Sequence, residues 1–159
     1  MPKINKADVA ITVGTTYPPE LNAPCAGRRV ERLSISGGIT QFGAYHVTLP
    51  PRNEAQDSWA SQRHHHSAED EFVYILSGRP TLIDDTGETQ LEAGDSCAHP
   101  AGDGNAHHLI NKTDAPVTFL IVGTKTPEID HCRYPEADLD LPANGTPTRQ
   151  QFRKNGTAI

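Results

Sequence analysis

The chain has 159 residues, with 14 Lys and Arg against 20 Asp and Glu, a formal charge of -6, and 13 Gly and 13 Pro. One ordinary core fits that length, which excludes two full enzyme domains, and the acidic balance disfavours nucleic acid and anionic lipid as partners. The longest apolar runs, 72–76 (FVYIL) and 119–122 (FLIV), fall far short of the roughly 20 residues a membrane helix needs.

The opening MPKINKADVAITVG is broken by Pro2, Asn5 and Asp8 and holds no apolar stretch of signal-peptide length. Cys25, Cys97 and Cys132 lie far apart with no C-x-x-C pair, so reduced thiols and a cytoplasmic location are expected. Residues 1–32 are Pro-rich and weakly patterned, which predicts an extended arm packed on the rest of the domain or on a partner subunit. Gly and Pro recur every few residues throughout, so helix should be minor.

Between residues 33 and 124, short runs rich in β-branched and aromatic residues follow one another: 38–49, 71–76, 81–84, 89–91, 96–99, 107–111 and 117–122. Turn-forming stretches such as Ser77-Gly78, Asp85-Thr86-Gly87 and Glu92-Ala93-Gly94-Asp95 separate them. Short strands at this spacing predict an all-β sandwich or barrel. Alternation in the first run sets Tyr45, Val47 and Leu49 on one face and Phe42, Ala44 and His46 on the other, so either Tyr45 or His46 looks inward. Residues 125–159 form a second Pro-rich arm, whose Tyr134, Leu139, Leu141 and Phe152 give it apolar surface with which to dock.

The eight histidines carry the chemistry. His64 and His66 are two apart, so on an extended strand both imidazoles leave one face while His65 leaves the other. Glu71 opens the next strand on the face of Val73 and Ile75, and His107 opens a later one on the face of Leu109 and Asn111. A carboxylate and imidazoles at the heads of apolar faces can meet inside a barrel. There they would suit a divalent first-row metal: iron, manganese, nickel, copper or zinc. His65 and His108, next to these positions, should point away.

His64-His65-His66, four residues, Glu71, six residues and Gly78 resemble the first motif of the cupin superfamily, with Ser58 standing where the family has a leading glycine. Gly94, Pro100, Gly102, His107 and Asn111 resemble its second motif, with four residues instead of two between Gly102 and His107. That longer hairpin leaves His107 and His108 as alternatives, and the three-residue spacing to Asn111 selects His107. The resemblance implies a double-stranded β-helix, the jelly-roll cupin barrel, at 33–124, with both arms packed outside. It further implies a metal held by His64, His66, Glu71 and His107, and a homodimer.

An open three-His, one-Glu metal site acts on a bound oxygen ligand. A redox metal would make the protein a dioxygenase-type oxidoreductase acting on a small oxygenated molecule, which is the leading expectation. A non-redox metal would make it an isomerase, decarboxylase or lyase, with Tyr45, His46 or His99 as acid or base. From a different class comes a cupin that binds a small ligand or a metal without turnover.

Overall fold

The alternating runs form strands close to where the pattern predicts them. The computed structural model describes residues 3–159, and among these thirteen strands are arranged in three antiparallel sheets. The largest sheet runs in the order β1 (Ile11–Val13), β2 (Arg29–Arg32), β3 (Phe42–Leu49), β11 (Val117–Thr124), β6 (Glu71–Ser77), β9 (Ser96–His99). Facing it is a sheet of β4 (Ser58–Trp59), β10 (His108–Asn111), β7 (Thr81–Asp84) and β8 (Gly87–Gln90). A small third sheet joins β5 (His65–His66) to β12 (Cys132–Arg133) and β13 (Asp140–Leu141). Helix is confined to single turns, α1 (Pro19–Asn22) and α2 (Leu33–Ser36), with 3-10 turns at Lys6–Asp8 and Ala23–Cys25. No helix among the described residues is long and apolar enough to cross a membrane.

The core fills the space between the two larger sheets. Val30, Val47, Leu49, Val73, Ile75, Val117 and Phe119 enter from one side and Ala60 and Leu109 from the other. Because Val47 and Leu49 are buried in that core, strand parity turns Tyr45 inward with them, and His46 faces outward. Burying Phe119 completely contributes about 2–3 kcal/mol of hydrophobic free energy.

Glycine is required where β6 turns away. Gly78 has φ +81°, and a Cβ there would lie 2.6 Å from Val117 Cγ1 and 2.8 Å from the Pro116 carbonyl oxygen. Asn111 is fully buried at the end of β10. Its amide donates to the carbonyls of Pro50 and Ala115, both at 2.8 Å, and its oxygen accepts from the Thr113 amide at 3.0 Å. It thus pins the following turn to the end of β3 and plays a structural part.

Both arms pack on their own chain. The N-terminal one supplies β1 and β2, which extend the large sheet through the pairs Val30↔Val47 and Arg32↔Tyr45. The C-terminal one docks through Cys132, Tyr134, Ala137, Leu139 and Leu141, against which Tyr17 and Leu21 pack. Strand β12 pairs with β5, setting Cys132 opposite His66 and Arg133 opposite His65. The sequence pattern leaves these short arm strands unassigned, because two to four residues in Pro-rich surroundings carry no measurable alternation.

Candidate metal centre

His64 and His107 are 43 positions apart in sequence, yet they stand directly opposite each other in an isolated antiparallel bridge. Each amide donates to the other's carbonyl, His64 to His107 at 3.1 Å and His107 to His64 at 2.8 Å, so both side chains leave the same side. Their rings lie 5.2 Å apart. The Gln62 carbonyl accepts from Nδ1 of His64 at 2.8 Å, and the Asn105 carbonyl from Nδ1 of His107 at 3.2 Å. With Nδ1 carrying the proton, both Nε2 lone pairs are free, and each lies 4.0 Å from Oε2 of Glu71. Two donors on one ion, each about 2.1 Å from it, are at most about 4.2 Å apart. Nε2 of His107 is buried with no hydrogen-bond partner, as a lone pair reserved for a cation would be.

His66 shares the side of His64, its ring edge-on at 5.1 Å. The Asp130 carboxylate accepts from Nδ1 of His66 at 2.7 Å, which leaves Nε2 as the atom that could ligate, the arrangement by which a carboxylate orients a metal-bound imidazole. The structure therefore brings His64, Glu71 and His107 into one cluster and sets His66 beside His64. Drawn toward the C-terminal arm, His66 groups with His64 and Cys132, and separately with Glu69 and Asp130.

Charge follows from these contacts. Burial alone would raise Glu71, but the neighbouring His107 and His64 imidazoles hold it down to about 2. Burial pushes His64 down to about 3 against the pull of Glu71. His66 moves the other way: against burial, the hydrogen bond to Asp130 and the neighbouring Cys132 raise it to about 10. Asp130 is itself held well below the carboxylate range. Burial works against this, and hydrogen bonds from His66, the Ala68 amide and Arg149 outweigh it.

Of the acid and base candidates, two reach the cavity. Tyr45 and His99 line a cavity of about 230 Å³ with Glu71, His64 and His107. His99 stands across the β6–β9 ladder from Glu71 and stacks on His107 at 3.3 Å, with ring planes 6° apart. Burial, then His107, pushes His99 down to about 4, so its ring is neutral at pH 7. His46 faces away, Nδ1 3.5 Å from Glu31, and is not brought to the centre. Its neighbours Phe42 and Ala44 lend that face an apolar character that parity alone could not discount.

His65 opposes Arg133 in the third sheet, away from the cluster. His108 borders the cavity wall, its Nδ1 donating to the Ser61 carbonyl at 3.0 Å and its ring edge-on against Trp59, and it does not group with His64, Glu71 and His107. Glu69 and Asp70 pin loops: Glu69 accepts from the Thr126 amide at 2.7 Å and Asp70 from the Ala101 amide at 2.8 Å.

Sequence reasoning missed Asp130, Tyr134, Arg28 and Arg149. Asp130 is fully buried beneath His66, and Tyr134 stacks on His64 at 5.6 Å. The adjacent Asp130-His131-Cys132, a run of ligand-type residues in the docking arm, is the one local signal that pointed there. A second cavity of about 580 Å³ opens outside the first and shares Tyr45, Glu71 and Ile121 with it.

Two facing antiparallel sheets around a histidine and carboxylate cluster define a jelly-roll barrel with a candidate metal centre. The comparisons place it: the chain belongs to the cupin superfamily. Residues 45–123 match the family described as Cupin domain. A crystal structure of a sugar phosphate isomerase from a cupin superfamily, from Silicibacter pomeroyi, is similar with 39% identity over 99% of this chain and 96% of that one, at a TM-score of 0.85. A putative sugar phosphate isomerase from Acidithiobacillus ferrooxidans shares the fold at 22% identity, 87% and 83% coverage and a TM-score of 0.72. A predicted oxalate decarboxylase from Thermotoga maritima does so at 19%, 77% and 97%, with a TM-score of 0.59. No curated protein sequence matches the chain.

Proposed function

We propose that this cupin is a metal-dependent isomerase of a small phosphorylated sugar, with His64, Glu71 and His107, joined by His66, as the metal ligands. The carrying observation is the convergence of three donors, one a buried lone pair without a partner, beside a neutral imidazole in the 230 Å³ cavity. The kind of substrate comes from the Silicibacter pomeroyi protein, similar over 99% of this chain.

When bound, a divalent cation would supply polarisation of adjacent carbonyl and hydroxyl oxygens. The chain's own groups do the rest. Aldose to ketose exchange moves one proton between neighbouring carbons, and His99, whose ring nitrogens make no hydrogen bond among the described residues, is the group to take and return it. The Tyr45 hydroxyl gives a proton to the carbonyl oxygen and recovers one from the neighbouring hydroxyl, so the exchange between the oxygens balances that between the carbons. Val73, Leu109, Phe119 and Ile121 wall the cavity and keep water from the exchanging proton. The test is the interconversion of aldose and ketose phosphates by the metal-loaded protein. Deuterium exchange at the substrate carbon should fall by a hundredfold or more in His99→Ala, the lower range of general-base contributions. Exchange unchanged in that variant would remove His99 from the role.

The same donor set also suits iron, which keeps a dioxygenase as the second reading. Oxygen uptake with enolic or catecholic substrates and no isomerase turnover would favour it. Metal or ligand binding without either reaction would leave the non-catalytic cupin. A homodimer through the outer face of the large sheet is part of this reading, because Phe72, Tyr74 and Leu76 are 42%, 40% and 44% exposed there. A monomer by light scattering would count against it. The three free cysteines support a reducing, cytoplasmic setting.

A further inference from the structure

Two arginines line the cavities around the centre, and they differ in what balances their charge. Nη2 of Arg149 lies 2.8 Å from carboxylate oxygens of both Glu69 and Asp130. Arg28 lines the 230 Å³ cavity with the metal cluster, and among the described residues it forms no ion pair. Its Nη1 donates to the Ala60 carbonyl. Nε is buried without a partner, and Nη2 is unpartnered and open.

The chain fixes this residue in place. The Gly14 amide donates to the Arg28 carbonyl at 2.8 Å, and the Arg28 amide donates to the Cys25 carbonyl at 3.1 Å. Arg28 stands two residues before buried Val30 and so carries its inward parity. A half-buried guanidinium with idle donors, walled by Leu109 and Phe119, is poorly solvated and has no counter-charge within ion-pair distance among the described residues. An oxyanion supplies both the charge and the acceptors, in the planar geometry that the guanidinium fork matches. Tyr17 lines the same cavity, and burial raises its phenol well above the usual range, so it stays neutral and adds a donor.

We propose that Arg28 forms an anion subsite in the barrel cavity and holds the phosphoryl group of the substrate. The identity of the oxyanion rests on the isomerase reading above; the subsite rests on the unpaired guanidinium.

The experiment is calorimetric titration of inorganic phosphate into the zinc-loaded protein, for wild type, Arg28→Met, Arg28→Lys and His107→Ala, with zinc content measured on every sample. One phosphate per chain is expected for wild type. Affinity should fall by about tenfold to a hundredfold in Arg28→Met with zinc content unchanged, the range for losing a charge-assisted hydrogen-bonded contact. Should the Met variant not fold without its bond to Ala60, Arg28→Lys carries the test. It keeps the charge, loses the fork, and is expected to bind several-fold more weakly.

Phosphate affinity equal to wild type in the folded Arg28 variants overturns the proposal. Loss confined to His107→Ala also overturns it, since phosphate would then sit on the metal, and so does a wild type that binds acetate but not phosphate, or neither. The two readings fail separately. Arg28-dependent phosphate binding without sugar phosphate turnover keeps the subsite and refutes the isomerase. Turnover with Arg28-independent phosphate affinity does the reverse.

Discussion

Asp130→Asn separates a histidine that ligates from one that merely sits near the centre. Asp130 is fully buried and accepts from Nδ1 of His66 at 2.7 Å, the Ala68 amide at 2.9 Å and Nη2 of Arg149 at 2.8 Å. Asparagine preserves volume and one acceptor but removes the charge that orients the imidazole and balances Arg149. Partners that orient a metal-bound histidine are worth about 10–100-fold in affinity, or roughly 1.4–2.8 kcal/mol. Zinc affinity, read by competition with a fluorescent chelator, should therefore fall by that factor. Folding stability should also fall, by about 2 kcal/mol, since Arg149 keeps Glu69 and the lost contacts are charge-assisted. Calorimetry should record that as roughly 4–8 °C of Tm for a chain of this length. If Tm drops while zinc affinity stays within twofold, Asp130 only fastens the C-terminal arm. His66 then leaves the ligand set, and the centre reduces to His64, Glu71 and His107.

Three further outcomes follow from the same contacts. His64→Ala and His107→Ala should each lose most of the bound metal in elemental mass spectrometry while circular dichroism stays near wild type; full occupancy in both would sink the assignment. The His66–Asp130 pair should shape acid and alkaline stability of the metal-free protein. Asp130 is depressed, so its contribution is complete above the ordinary carboxylate value near 3.9 and fades as pH falls below it. His66 is raised to about 10, so its contribution is complete below about 6.5 and fades as pH climbs toward 10. A profile of Tm against pH that Asp130→Asn leaves unaltered would contradict this. Gly43→Ala should push aside the Tyr45 ring, whose atoms would stand 2.5–2.8 Å from the new Cβ. We expect a loss of about 1–3 kcal/mol with metal content intact, and a crystal structure with Tyr45 unmoved would refute the packing argument.

What could be read in advance was what the chain encodes locally. His64, Glu71 and Gly78 fall within fifteen residues, so their spacing registers in the sequence, and strand alternation carries the geometry from there. The pairing of His64 with His107 depends on two sheets closing over a core, and the three-residue step to Asn111 selects the imidazole that groups with His64 and Glu71. Asp130 escaped notice, and Tyr134 reads only as docking surface, because nothing near them reports where on the barrel a Pro-rich arm docks. Contact with His66 spans 64 positions. Arg28 escaped for a related reason: its meaning lies in a counter-charge that is missing, and a sequence shows only charges that are present.

The row of the large sheet that carries Glu71 runs Gly43, Gly123, Glu71, His99 across four strands. On the next row stand Tyr45, Ile121, Val73 and Cys97, which fill the barrel in the ordinary way. At Gly43 a Cβ would strike Tyr45, and at Gly123 it would lie 2.9 Å from the Asp70 carbonyl oxygen. Backbone pairing continues unbroken through both glycines, so the sheet keeps its hydrogen bonds while the layer of side chains beside Glu71 is absent. The inner and outer cavities meet there, sharing Tyr45 and Glu71. Neither position admits a Cβ while the Tyr45 ring and the Asp70 carbonyl stand there, so the cost of glycine within a strand, about 0.5–1 kcal/mol relative to alanine, is the smaller one. The gap they leave lies beside Glu71, where the two cavities meet, and it is there that a substrate would reach the candidate metal centre.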